Sequence, residues 1–272
     1  MSLDGMLINC VNNVRKYLES SSISFDVVGY NPFGDVSKRF DVEAENILRK
    51  CIVDSLKDVV FIGEEEGVNI YGNPKWVVIA DPVDGSTNFS SDIPWASISV
   101  AIAPYRRGAT IKDVSTAIVA EIFRSRAYVF NNGFVKIYGA SEERKKIPAP
   151  IVLGYFEFLE AFTPLLRYLS LSSRRLTIRS LGSAALDIVY VGLGNAEAFI
   201  DVRAKLRNVD VVAAIRIATA LGAKAVECSN GLRDALDIPI DVPEKVKCLA
   251  VAYDNSVLDN LLKALSNQKA MQ

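Results

Sequence analysis

A chain of 272 residues, half of them hydrophobic, is long enough to bury a full core as one large domain or two joined ones. Its 31 Lys and Arg nearly balance 32 Asp and Glu, leaving a formal net charge of −1, which argues against bulk attraction to nucleic acid or an anionic membrane. The complete absence of histidine removes Ser-His-Asp and Cys-His nucleophilic schemes and every imidazole metal site, so catalysis must come from carboxylates, hydroxyls, Lys, Arg, Tyr or a metal held through oxygen.

No segment approaches the roughly 20 uninterrupted apolar residues of a membrane span, and the N-terminus alternates polar and apolar residues, unlike a signal peptide. Cys10, Cys51, Cys228 and Cys248 are scattered without a Cys-x-x-Cys pair and read as reduced core residues of a cytoplasmic protein.

In chain order, Leu3, Met6, Leu7, Cys10, Val11, Val14 and Leu18 recur at helical spacing and predict a first helix with one buried face. Residues 19–34, rich in Ser, Gly and Asn, read as a loop or ragged hairpin. A second helix starts from about Asp41, which stands where an N-cap belongs, with Ala44, Ile47, Leu48, Cys51, Ile52 and Leu56 inward. Val59 to Ile62 is a short buried strand followed by Gly63-Glu64-Glu65-Glu66-Gly67. Laid beside the strand at 76–80, it brings Glu64 next to Asp81 at the carboxyl ends of both. Further strands are expected at 96–103, 115–122 and 126–130.

Ser141 to Pro150 mixes charge with prolines and is the expected boundary between an α+β half, 1–145, and an α/β half, 146–272. Beyond it strands near 151–154, 176–181, 196–200, 223–226 and 246–252 alternate with helices near 157–170, 183–193, 209–221 and 255–267, the pattern of a sheet covered by helices.

The chemistry concentrates in Trp76 to Phe89, where the apolar run Val77-Val78-Ile79-Ala80 ends in Asp81-Pro82-Val83-Asp84-Gly85-Ser86-Thr87-Asn88-Phe89. Pro82 pushes Asp81 towards extended backbone, so Asp81 is expected at the strand's last position with its carboxylate outward. Gly85 permits a tight turn, and the residues after it offer hydroxyls and N–H groups as at a helix start. Two hard oxygen donors beside N–H donors suit a divalent cation holding a phosphate. Asp84-Gly85 alone reads as an ordinary turn. An EF-hand loop is excluded by Val83 at its third position, and the Asp-x-Asp register of the haloacid-dehalogenase phosphatases by the extra residue between Asp81 and Asp84.

These nine positions resemble the signature of the inositol monophosphatase family of Mg²⁺-dependent sugar phosphatases, Asp-Pro-(Ile/Leu/Val)-Asp-Gly-Thr-(Thr/Ser)-Asn-Phe, with Ser86 in place of Thr. Gly63-Glu64-Glu65 is similar to the family's Gly-Glu-Glu, whose first Glu binds metal, and Asp35 to Asp41 resembles its Asp-x-(Val/Thr)-x-x-x-Asp segment. Asp210-Val211-Val212-Ala213-Ala214 resembles the family's Trp-Asp-x-Ala-Ala-Gly, keeping the Asp and one or two of the alanines and departing by Val209 for Trp and in lacking the Gly. Without the resemblance, Asp210 is an N-cap and Glu64 to Glu66 a solvated turn. Gly182-Ser183-Ala184 resembles the family's turn facing the sugar, and Asp201 the acid accepting from ring hydroxyls.

The resemblance implies a layered α-β-α-β-α fold and a phosphomonoesterase in which Glu64, Asp81, the Val83 carbonyl, Asp84 and Asp210 hold two Mg²⁺ ions, with Asp35 serving a third. Ser86, with Asp41 or Glu64, orients and deprotonates water, and the N–H groups of Gly85 and Ser86 receive the phosphate. Arg179, Arg203 and Lys205 are candidates for a second phosphate if they converge. The implied substrates are myo-inositol monophosphate and fructose 1,6-bisphosphate. A nucleotide 3′-phosphatase, an RNA- or protein-binding regulatory member and a phosphosugar binder without turnover are the alternatives. A homodimer is the assembly the resemblance implies.

Overall fold

The computed structural model describes residues 2–139, 144–229 and 231–266. Helix α1 (Leu3–Leu18) leads to a hairpin of β1 (Val27–Tyr30) and β2 (Val36–Lys38), then to α2 (Arg39–Leu56). Strands β3 (Val59–Gly63), β4 (Gly67–Tyr71) and β5 (Trp76–Asp84) follow, then the short helix α3 (Ser86–Ser90). Four more strands, β6 (Ser97–Pro104), β7 (Thr116–Glu121), β8 (Ala127–Asn131) and β9 (Phe134–Tyr138), complete a seven-stranded sheet in the order β4-β3-β5-β6-β7-β8-β9.

The second part contains β10 (Ile151–Gly154), α4 (Leu159–Leu171), β11 (Thr177–Arg179), α5 (Ala184–Gly192), β12 (Ala198–Asp201), β13 (Leu206–Arg207) and α6 (Asn208–Ala220). It ends with β14 (Lys224–Glu227), β15 (Arg233–Asp234), β16 (Lys245–Val246), β17 (Leu249–Ala252) and α7 (Asn255–Ser266). Its six-stranded sheet runs β11-β10-β12-β17-β14-β15. Residues 141–143 of the expected boundary segment lie outside the described residues.

Strand alternation decides which side chains meet which layer. Val59 and Phe61 of β3, with Val78 and Ala80 of β5, face α1 and α2. Their neighbours Val60, Ile62, Val77 and Ile79 face the other way, into a core shared with α5, α6 and the inner face of the second sheet. The outer face of that sheet, Val152, Ala198, Ile200, Ala250 and Ala252, packs on Leu165 of α4 and Leu261 of α7. The result is the α-β-α-β-α sandwich that the resemblance implied. α5 and α6 are apolar nearly all round because they lie between two sheets.

Three expectations are corrected. Cys10 pairs with Cys51, Cα atoms 5.6 Å apart, and Cys228 with Cys248, 4.9 Å apart, so the cysteines are not reduced core residues. Packing of α1 on α2 creates the first pair, and pairing of β14 with β17 (Glu227 opposite Leu249) carries the second into register. Contacts between residues 41 and 20 positions apart leave no signature in spacing. With them the compositional argument for a reducing compartment falls away. Asp81 is not the last residue of its strand: β5 runs on to Asp84 through an irregularity between Asp81 and Asp84. Pro82 removes one donor from the ladder without ending it, because the parallel partner β3 has already stopped opposite Ala80. Asp41 is not an N-cap, since α2 begins two residues earlier at Arg39. Among the described residues no helix is long and apolar enough to cross a membrane.

Candidate active site

Parallel pairing of β3 with β5 matches Gly63 to Ala80, so Glu64 and Asp81 leave the two strands side by side, as their spacing predicted. Past Ala80 the chain makes a local turn in which the Val83 N–H donates to Asp81 Oδ1 at 2.9 Å. Gly85, with φ of 91°, then feeds α3. A Cβ at Gly85 would lie 2.9 Å from the Gly182 carbonyl and 3.0 Å from that of Trp95, so glycine is required by close approach as well as by φ. Asn88 ties the same junction together, donating Nδ2 to the carbonyls of Trp95 (2.8 Å) and Leu181 (2.6 Å).

Asp84 points across this junction at the start of α5. Its Oδ1 accepts the Ala184 N–H at 3.0 Å, while Oδ2 accepts the Ala185 N–H at 2.9 Å and the hydroxyls of Ser97 and Ser183. The carboxylate therefore caps a helix from outside it, a favourable place for negative charge.

The turn carrying Glu64 is held by a residue the periodicity reading passed over. Glu45 faces inward from α2, fully buried, and accepts the N–H groups of Glu65 (2.8 Å) and Glu66 (2.9 Å). A Cβ at Gly63 would overlap this carboxylate. Burial pushes the Glu45 carboxyl up to about 7.

Helix α6 brings Asp210 to the same place, and Asp210 Oδ2 accepts the Arg207 N–H at 2.6 Å. The Arg207 guanidinium reaches the opposite rim, pairing with Asp35 at 2.6 Å and lying 4.4 Å from the centre of the Phe33 ring. Asp35 is thus engaged at the rim rather than among the inner acids.

Glu64, Asp81 and Asp210 each offer a carboxylate oxygen within 4.8 Å of the others. All three line a cleft of about 440 Å³ together with Asp35, Val83, Asp84, Gly85 and Ser86. Burial, then repulsion from Asp210, Glu65 and Asp41, holds Glu64 well above the usual carboxylate range. Asp81 is raised likewise by burial and then by Glu64, Asp84 and Asp210. Burial pushes Asp210 to about 7. Asp41, buried in the first turn of α2, is raised to about 8 by burial and the charge of Glu65 but does not line the cleft. Crowded anionic oxygens with no softer donor among them form a set suited to a hard divalent cation, which would relieve their mutual repulsion.

The cleft is also lined by Gly182 and Ala184, next to Gly85 and Asp84, and by Arg203 and Lys205 with Tyr155 and Glu157, which the sequence reading had not singled out. Ser183 is buried, its hydroxyl turned to Asp84. Asp201 is also buried and holds Arg203, accepting the backbone N–H at 2.8 Å and the guanidinium Nε at 2.8 Å. Arg179 stands outside the cleft, exposed and donating to the carbonyl of Ile178. The three cations proposed to converge are therefore two.

The sequence model of the inositol monophosphatase family matches residues 8–269. An inositol-1-monophosphatase of Aeropyrum pernix is 32% identical over 226 residues, 80% of each chain. A fructose-1,6-bisphosphatase/inositol-1-monophosphatase of Methanocaldococcus jannaschii is 29% identical over 243 residues, 88% of each. Among solved structures, an inositol monophosphatase-fructose 1,6-bisphosphatase superposes with a TM-score of 0.78 at 26% identity, covering 97% of this chain and 100% of its own. The layered fold, the acid-lined cleft and these relatives define a phosphoric monoester hydrolase. The chain belongs to the inositol monophosphatase family.

Proposed function

We propose that this chain is a Mg²⁺-dependent phosphatase of small sugar or polyol phosphates, with myo-inositol monophosphate and fructose 1,6-bisphosphate as the substrates to test first. The observation that carries the reading is the convergence of Glu64, Asp81 and Asp210 within 4.8 Å, in one cleft with the Gly85–Ser86 turn. In this reading two ions are held by Glu64, Asp81, Asp210, the Val83 carbonyl and Asp84, whose Oδ1 accepts only one hydrogen bond and so retains a lone pair. A third would be held by Asp35, whose Oδ2 is paired with Arg207. Bound Mg²⁺ supplies Lewis-acid charge at the phosphoryl oxygens and acidifies water.

The chain's own groups do the rest. The N–H groups of Gly85 and Ser86, at the start of α3, receive phosphate oxygens. The Ser86 hydroxyl orients the attacking water, and Glu64 takes its proton. Gly182 and Ala184 flank the sugar, while Asp201 acts indirectly by fixing Arg203. Asp41 lies outside the cleft and raises the Glu64 carboxyl only when it is itself ionised. The dimeric state rests on the family resemblance alone, and the cytoplasmic setting, read from unpaired cysteines, loses that support with the two disulfides.

A phosphate-release panel over sugar phosphates, with Mg²⁺ and with chelator, tests the reading. Release that requires Mg²⁺ and favours sugar or inositol phosphates over a nucleotide 3′-phosphate is expected. Equal release in chelator, or preference for the nucleotide, overturns it.

A further inference from the structure

Beside the acids, the cleft contains an ion-pair arrangement in which one carboxylate, Glu157, has no part in the family signature or in the proposed chemistry. Arg203 is almost fully buried, with its side chain 7% exposed. Its Nε and Nη2 are held by Asp201, and its guanidinium stacks 3.6 Å from the centre of the Tyr155 ring. Ala204, with φ of 58°, takes the left-handed conformation that non-glycine residues rarely adopt, in the turn carrying Arg203 and Lys205. The remaining guanidinium nitrogen, Nη1, pairs with Glu157 Oε1 at 2.5 Å, and Lys205 Nζ pairs with Glu157 Oε2 at 2.9 Å. Two cations thus face two carboxylates. Asp201 is locked in the interior, while the side chain of Glu157 is 44% exposed, on the loop before α4.

We infer that Glu157 is a specificity-determining residue: by occupying Arg203 and Lys205 it keeps this part of the cleft neutral, favouring substrates that carry one phosphate and hydroxyls over bisphosphates. The inference rests on the phosphatase reading above and names the substrate class within it. A second phosphate arriving here finds Arg203 and Lys205 both already paired with Glu157. It must displace the Glu157 carboxylate from both partners, or sit beside it and be repelled. A hydroxyl-bearing ring needs neither change, since it can donate to Glu157 where it stands. Removing the charge at residue 157 leaves a pinned guanidinium and an ammonium facing the cleft, a pair suited to a phosphate dianion.

The test compares fructose 1,6-bisphosphate with fructose 6-phosphate on wild type and Glu157→Gln, the readout being the ratio of the two KM values. The ratio of bisphosphate to monophosphate KM is expected to fall about tenfold in Glu157→Gln, the worth of one charge-assisted contact. Adding Lys205→Gln to that variant should return much of the loss. A ratio unchanged within about twofold, or an equal fall that survives the Lys205 change, overturns the inference. Calorimetric titration of both ligands into both proteins in chelator reads the same preference without turnover. If no protein releases phosphate from either ligand the phosphatase reading fails, and the titration still decides the role of Glu157: tighter bisphosphate binding in the variant supports it, equal binding refutes it.

Discussion

At the scale of single residues the site is a set of carboxylates with different duties. Asp81 and Asp210 point into the crowded centre, so Asp81→Asn and Asp210→Asn should preserve the fold yet abolish Mg²⁺-dependent phosphate release. Circular dichroism and a phosphate assay check both halves of that statement. Glu45 touches no ligand but accepts two successive N–H groups behind Glu64. Glu45→Gln keeps the shape and aims an amide N–H at one of those donors, at a cost of about 1–3 kcal/mol in stability. Chemical denaturation measures that loss, and the Mg²⁺ concentration for half-activation should rise with it, because the Glu64 turn loosens.

Asp81 and Asp84 were legible inside a dense motif, Asp210 in a segment that keeps the family's acid but departs around it, and Glu64 in the family's Gly-Glu-Glu, with strand spacing that puts it beside Asp81. Glu45 had a weaker signal: an acid on the buried stripe of α2, between Ala44 and Leu48, where only a satisfied charge can stand. The separation of Arg179 from Arg203 and Lys205 was not legible. Nearness in sequence says nothing about whether the end of β11 and the turn after β12 open on the same side.

At the scale of elements, the periodic helices lie within a few residues of their predicted bounds, since a helix pressed on a sheet needs its apolar stripe. β4 and β9 were missed. Both are short edge strands of the large sheet whose apolar side chains include exposed ones (Val68 and Ile70 in one, Phe134 in the other), so neither presents the apolar run of a buried strand. The two cross-links were illegible for a different reason, being products of packing. Cys10–Cys51 joins α1 to α2 across 41 residues, and closing a loop of that order stabilises by about 2–4 kcal/mol. Thiol titration of the denatured, unreduced protein should find no free thiol. A Cys10→Ser/Cys51→Ser variant should melt several degrees lower. Four titratable thiols and an unchanged melting temperature would refute the pairing.

At the scale of the molecule, α5 and α6 lie between two sheets, and both contribute to the cleft from their N-terminal ends: α5 holds Asp84 and α6 carries Asp210. Assembling so many buried acids has a pH signature. Asp41 is raised to about 8, with Glu45 and Asp210 at about 7, whereas the same groups in the unfolded chain titrate near 4. The folded state therefore holds extra protons between these limits. The stability these groups contribute is complete below about pH 4 and is lost as pH rises through 7 to 8. Chelator-treated protein should accordingly melt at a lower temperature near pH 8.5 than near pH 5.5, and Mg²⁺ should reduce the difference by the share that Asp210 contributes, leaving the share of Asp41 and Glu45, which no ion reaches. Melting curves at the two pH values, with and without Mg²⁺, read this directly. A metal-free protein more stable at the higher pH would reverse the sign.

The claim on which the rest depends is that Glu64, Asp81 and Asp210 form one divalent-cation site. Calorimetric titration of Mg²⁺ into wild type, Asp81→Asn and Asp210→Asn at neutral pH tests it most directly. Saturable binding by wild type, weakened at least about tenfold in each variant, is the predicted result. Wild-type affinity retained in both variants would contradict it.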